Sequence, residues 1–273
     1  MKRLFFPGFI AQCFLVVIFS ACSVNKAKVD DNLKTYFDQH KVEGCFTMFN
    51  NTDGKVTVYN LALDTARFLP ASTFKIVNSL IGLEIGTITD ENMVIKWDGV
   101  KRRIEEWNKD LTMKEAFKVS AVNYYQEVAR RIGKDTMRQW IDSLHYGNMQ
   151  MGKYVDSFWL DNSLKISPDE QLGLVKRLYF DQLPFQKRTQ QIVRDAMIQE
   201  DNTLYTLCYK TGWGFDENNH SIGWIVGWIE ENKHPYLFVT LVKSPDPNID
   251  MRAIRLDITK AILKQYGFFQ GRM

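Results

Sequence analysis

The chain has 273 residues, 45% of them hydrophobic and 25% charged, which suits one large globular domain or a sheet domain with a helical insertion. A formal net charge of +3 with no Lys/Arg stripe gives no support for a nucleic-acid partner.

Taken in chain order, the first 21 residues stand apart. Lys2 and Arg3 precede an almost uncharged run, Leu4 to Ala21, broken by Pro7, Gly8 and Gln12. A basic start, an apolar centre and small residues at the end make an export signal, and the run is short for a spanning helix. Its end, Phe19-Ser20-Ala21-Cys22, resembles a bacterial lipoprotein signal, in which Cys22 becomes the lipidated first residue. Leu is usual where this chain has Phe19. The expectation is an exported protein in the periplasm or cell envelope, held to the membrane only by a lipid anchor. Residues 22–30 are expected to be a tether, and residues 31–273 a single catalytic domain.

Asp31 to His40 is a plausible helix. Gly44 to Phe49 and Lys55 to Tyr59 flank Asn50-Asn51-Thr52-Asp53-Gly54 and predict a β-hairpin. Phe74, Val77, Leu80 and Ile81 have helical spacing over Thr73 to Leu83. From about 90 to 200 helical periodicity dominates, most clearly at Tyr124–Ile132, Lys134–Leu144 and Pro168–Tyr179. The end returns to strands: Leu204–Lys210, then a loop holding Gly212 to Asn219, then Gly223–Glu230 and Tyr236–Val242, and a closing helix from Met251 to Tyr266. Strands at both ends with helices between them predict an α/β (α+β) fold. Its antiparallel sheet would be built from N- and C-terminal segments, with an inserted helical subdomain and a cleft between the two parts.

Cys45 and Cys208 are the two cysteines outside the leader region, each in an apolar strand-like run, and are expected to be buried free thiols. His40, His145, His220 and His234 lack metal-ligand spacing, so no metal is expected.

Pro70-Ala71-Ser72-Thr73-Phe74-Lys75 opens a helix and puts Ser72 and Lys75 on one face. A serine hydroxyl attacks well only when a base takes its proton, and a lysine made neutral by burial can be that base. Alone the pattern is weak: Ser23-Val24-Asn25-Lys26 repeats it in the tether, and Ser72 could equally cap a helix. Lys210-Thr211-Gly212 ends an apolar strand, where a cation, a hydroxyl and a glycine can receive an anionic, peptide-like substrate along the strand edge. At roughly 5–7% per residue type, such a triplet arises by chance about once in several thousand residues. The same two motifs, with a Ser-Asp-Asn element between them, mark class A β-lactamases and penicillin-binding proteins. Here the intermediate segment is Ser120-Ala121-Val122, whose valine makes an apolar wall, and no counterpart of the class A deacylation glutamate is evident.

With Tyr146-Gly147-Asn148, Phe158-Trp159-Leu160 and Gly223-Trp224-Ile225-Val226-Gly227-Trp228 added in register, the chain from about residue 30 onward resembles the class D β-lactamases, the oxacillinases. That resemblance implies the penicillin-recognising serine β-lactamase fold and hydrolysis of β-lactam antibiotics. It implies Ser72 as nucleophile, Lys75 carboxylated by CO2 as general base in both steps, Ser120 as proton relay to the leaving nitrogen, and Lys210 as its partner. It further implies an oxyanion hole from the backbone amides of Ser72 and Trp213, and carbamate-pocket walls from Phe74, Val122, Trp159 and Leu160, with the Trp159 indole as donor. Thr211, Gly212 and Arg255 would bind substrate, with Arg252 the alternative to Arg255 for its carboxylate. No cofactor beyond the CO2-derived group is implied. Three other functions remain open: a penicillin-sensing receptor domain that stays acylated, a D,D-peptidase, and a non-catalytic lipoprotein. Substrate range would depend on loops at roughly 100–110 and 213–221. In the family's sheet the two cysteines stand three strand steps apart, roughly 14 Å at about 4.8 Å per step, too far for a disulfide.

Overall fold

A computed structural model describes residues 27–270. The leader and Cys22 lie outside the described residues. Two short segments at the start, β1 (Lys28–Val29) and α1 (Lys34–Gln39), precede the hairpin β2 (Glu43–Asn50) and β3 (Val56–Tyr59). The end of the stretch expected to be a tether therefore joins the sheet, where β1 pairs with β3. That pair is parallel, the one exception among the named pairs to the antiparallel sheet expected.

After α2 (Leu61–Asp64) comes the Ser72 helix, α3 (Lys75–Glu84), preceded by a 3-10 turn, Ala71–Phe74. The middle of the chain adds the small ribbon β4 (Val94–Ile95) and β5 (Leu111–Thr112), then α4 (Met113–Lys118), α5 (Val122–Ile132) and α6 (Lys134–Leu144). Two further helices, α7 (Pro168–Tyr179) and α8 (Lys187–Ala196), lead to the edge strand β6 (Ile198–Asp201). The meander β7 (Thr206–Phe215), β8 (Ser221–Glu231) and β9 (His234–Ser244) follows, and α9 (Met251–Gln265) closes the fold.

Among the described residues seven strands form the main sheet, in the order β1-β3-β2-β9-β8-β7-β6. Both ends of the chain thus build one sheet, with β2 paired along its whole length to β9. Side chains alternate across it, as the period of two in a strand requires. Trp224, Val226, Leu237, Val239 and Cys45 enter the core on the side of α3 and α7. Ile225, Ile229, Phe238, Val242 and Phe46 enter the core under α1 and α9. The central strands are therefore buried on both faces.

Two expectations need correction. The helical region expected over 90–200 is not all an insertion: α7 packs on β9, β2 and β8, and the segment ends in β6. Leu172, Leu174, Val175 and Leu178 form the buried side of α7, and a Ser167/Glu170 capping box with Pro168 at its first turn fixes its start. Second, Lys210-Thr211-Gly212 does not end its strand. Trp213 and Phe215 pair with Gly223 and Ser221, so β7 continues to Phe215 and the turn is confined to 216–220. Glycine content suggested a loop, but cross-strand pairing prevailed. Cys45 on β2 and Cys208 on β7 are free, buried and three strand steps apart. No helix among the described residues is long and apolar enough to cross a membrane.

Candidate active site

The Ser72 turn is held from three directions. Ala71, at φ 48°, donates its N–H to the Trp159 carbonyl (3.1 Å). The Thr73 hydroxyl donates to the Pro70 carbonyl (2.7 Å) and accepts from Gln171 (2.7 Å). The Trp224 indole donates to the Leu69 carbonyl (2.9 Å). The turn passes directly into α3, so Ser72 and Lys75 meet as the spacing implies: Lys75 Nζ donates to Ser72 Oγ at 2.7 Å. Lys75 is 1% exposed, and among the described residues no carboxylate pairs with it. Its other neighbour is the ring of Tyr125, 5.6 Å away. Burial therefore pushes its pKa down to about 7. Near neutrality this amine can exist uncharged, as a base or a group that combines with CO2 must.

Ser120 follows the last turn of α4. That turn closes through Ser120 N–H to the Phe117 carbonyl and Ala121 N–H to the Ala116 carbonyl, which leaves Ser120 in the left-handed region at φ 57°. An unstrained loop would not need this conformation. Lys210 Nζ donates to Ser120 Oγ at 2.9 Å and to the Thr211 carbonyl at 3.2 Å. Lys210 is also buried, and desolvation holds its pKa well below the usual lysine range, helped by the positive charges of Lys75 and Arg255.

β7 carries Lys210, Thr211, Gly212 and Trp213 along the sheet edge beside the Ser72 turn. β6 covers only Thr206 to Cys208 on this side, so the edge of β7 toward the site has no strand partner there. The approach is close: a Cβ at Gly212 would lie 2.9 Å from the Pro70 carbonyl oxygen and 3.1 Å from the Thr73 methyl. Glycine is needed here for proximity rather than for backbone angle. Arg255 on α9 is buried and donates to the Gly212 carbonyl. Arg252, three residues earlier, lies over the half-exposed Trp213 ring, 5.8 Å from its centroid. Both arginines line the cleft.

Phe74 turns from the Ser72 side into an aromatic cluster. Trp159 stacks on it (5.5 Å, 20°), while Phe158 (5.0 Å, 74°) and Tyr146 (5.6 Å, 77°) meet it edge-on. Trp159 is fully buried, yet its indole N–H has no acceptor among the described residues. A buried unpaired donor costs about 1–3 kcal/mol. The donor set thus fits a small anionic group on Lys75: a dry pocket, a neutral amine and one indole N–H. Tyr146-Gly147-Asn148 clamps the loop that carries Trp159. Asn148 donates to the Ser163 carbonyl (2.9 Å) and accepts from Lys165 N–H (3.0 Å). Gly147, at φ 55°, sits where a Cβ would be 1.9 Å from the Lys165 carbonyl oxygen.

These elements enclose a cleft of about 420 Å³ lined by Ser72, Ser120, Val122, Leu160, Thr211 and Trp213. Val122 and Leu160 are half-buried in its wall, whereas Phe74 and Trp159 lie wholly behind it. Ile104, Glu106, Trp107, Lys118 and Val119 also line it and were not individually apparent in the sequence. Three of them fall in the 100–110 loop already marked by sequence, but nothing local shows which side chains turn inward. A second hollow of about 400 Å³, between β4, β5 and α5, contains none of the residues around Ser72.

A family model described as the penicillin binding protein transpeptidase domain matches residues 27–265. The chain is 40% identical over 246 residues to the probable β-lactamase YbxI of Bacillus subtilis, covering 90% of this chain and 86% of that protein. It superposes on the crystal structure of a class D β-lactamase from Sebaldella termitidis with a TM-score of 0.85 and 36% identity, covering 89% of this chain and 99% of that one. It is also 34% identical over 239 residues to the regulatory protein BlaR1 of Bacillus licheniformis, covering 88% of this chain but 39% of that relative.

Proposed function

The chain belongs to the class D serine β-lactamases, and from that membership we propose a mechanism in which Ser72 is acylated by the β-lactam and the ester is then hydrolysed with Lys75 as the base. Ser72 Oγ attacks the lactam carbonyl carbon as its proton passes toward Lys75. The lactam C–N bond breaks, and Ser120, held by Lys210, delivers a proton to the leaving nitrogen. The amides of Ser72 and Trp213 receive the carbonyl oxygen where negative charge develops. Thr211, Gly212 and Arg255 take the substrate carboxylate end. Carboxylated by CO2, Lys75 would supply a base able to activate water in the second step, 2.7 Å from the acylated serine's oxygen. Phe74, Val122, Trp159 and Leu160 keep that base dry, and the Trp159 indole holds it.

One observation carries this reading: Lys75 is buried 2.7 Å from Ser72, and the adjacent Phe74 stacks on Trp159, whose buried indole N–H has no partner among the described residues. Export through the leader, with attachment at Cys22, would put the enzyme in the cell envelope, on the route of incoming antibiotic.

Steady-state turnover of a chromogenic cephalosporin tests the proposal. The wild type is expected to hydrolyse many equivalents and Ser72→Ala none. A receptor domain would release about one equivalent and stop, and its resemblance to BlaR1 makes that the outcome to exclude first. A D,D-peptidase would instead turn over a D-Ala-D-Ala peptide, and a non-catalytic lipoprotein neither substrate.

A further inference from the structure

The cleft is built for anions: Lys118, Arg252 and Arg255 line it, with Lys75 and Lys210 behind. Glu106 is the one acidic side chain lining it among the described residues. Among the described residues it has no hydrogen-bond or ion-pair partner that would explain it as part of the scaffold. Its backbone is nevertheless fixed. It sits in a 3-10 turn, Glu105–Trp107, whose last residue is held by its side chain and its carbonyl. The Trp107 indole donates to the Val119 carbonyl (3.0 Å), and its own carbonyl accepts from Asn123 (3.3 Å). Asn108 closes the loop onto Arg102 from both sides (2.7 and 2.9 Å).

Glu106 also stands at a junction. Ile104, Glu106, Trp213 and Arg252 line both the cleft and a wider adjoining hollow of about 710 Å³, whereas Ser72, Thr211 and Arg255 line the cleft alone. The rim at Glu106 is thus one opening through which the acyl side chain of a β-lactam held at Ser72 can leave the cleft.

We propose that Glu106 is a specificity-determining residue that favours β-lactams carrying a protonated amine on the acyl side chain and disfavours those carrying a second carboxylate there. This rests on the hydrolytic reading above. A carboxylate side chain meets repulsion from Glu106 even with Lys118 and Arg252 nearby, while an ammonium finds its counter-ion.

Benzylpenicillin, ampicillin and carbenicillin share a phenyl-bearing side chain and differ at one carbon, which carries hydrogen, an amine or a carboxylate. Their kcat/KM values should be compared at about pH 7, where the amine is largely charged. One exposed charge at about 6 Å changes binding roughly threefold in water, so the ampicillin-to-carbenicillin ratio should fall about tenfold in Glu106→Gln. About 1 M salt should collapse the wild-type ratio toward the variant's, since the Debye length shrinks to about 3 Å. Glu105→Gln, whose side chain lines only the outer hollow, should leave the ratio within about twofold. A Glu106→Gln ratio equal to the wild type's, or an equal change in Glu105→Gln, overturns the proposal while hydrolysis stands. If the wild type turns over none of the three, the hydrolytic reading fails and takes this one with it.

Discussion

A lysine with 1% of its surface exposed is costly to keep charged, and Lys75 has no carboxylate to offset that cost. Its folded pKa, lowered to about 7 from an ordinary 10.5, means that the unfolded chain binds the proton more tightly. Stability then rises with pH between about 7 and 10.5, and below that window the lysine is a net liability on the order of 4–5 kcal/mol. Lys75→Met is therefore expected to abolish turnover yet raise Tm by several degrees at neutral pH in CO2-depleted buffer. The gain should shrink as pH approaches 10, because the wild type sheds its buried charge. A variant less stable than wild type across the whole range would contradict the burial argument. At this scale the sequence was informative for a physical reason. Ser72 and Lys75 are three residues apart on one helical face, so local geometry alone brings them together. The contact between Lys210 and Ser120 spans 90 residues, and only the order of several motifs pointed to it. Arg255 is buried against the Gly212 carbonyl and Arg252 lies over Trp213 at the rim, a difference that no local pattern shows.

Among the elements, the loop bearing Trp159 depends most on distant support. It has no long strand or helix of its own, and Asn148 holds it through Ser163 and Lys165. Asn148→Ala removes both bonds and leaves the Ser163 carbonyl and the Lys165 amide to find water. At about 1 kcal/mol net per bond, a fall in Tm of several degrees is expected. Loosening should also reach Ala71, whose N–H rests on the Trp159 carbonyl, and lower turnover at least severalfold. Added bicarbonate should restore part of it if the loop's role is to hold the modified lysine. Unchanged turnover in a variant with lowered Tm would make Tyr146-Gly147-Asn148 a scaffold only. Most long elements were legible because their periodicity is clear: α5, α6, α7, α9 and the β2–β3 hairpin lie within a few residues of their expected limits. Those that escaped are set by pairing. β6 is a four-residue edge strand with an exposed, mostly polar surface, and β7 runs through two glycines because β8 continues opposite it.

The molecule as a whole is one seven-stranded sheet made from both ends of the chain, with a core on each face and a cleft where the central helices meet the β7 edge. That assembly was foreseeable from strands at both ends and helices between them; the placement of α7 on the sheet was not, since its apolar stripe would suit either partner. The fold alone does not decide activity: a probable β-lactamase and a regulatory protein both resemble this chain over most of its length. What separates hydrolysis from lasting acylation is a working base for the second step, so Lys75 is the group to interrogate. The wild type should be degassed in mildly acidic buffer, assayed, and assayed again after 13C-bicarbonate is added at fixed pH, with carbamate carbon followed by NMR. Below about pH 7 a growing share of the amine is protonated, so its hold on CO2 weakens: degassing empties the site and added bicarbonate refills it. Turnover should fall on degassing and recover with bicarbonate as a 13C carbamate signal appears, while Lys75→Ala shows neither. Full turnover in degassed enzyme with no carbamate signal would contradict the mechanism.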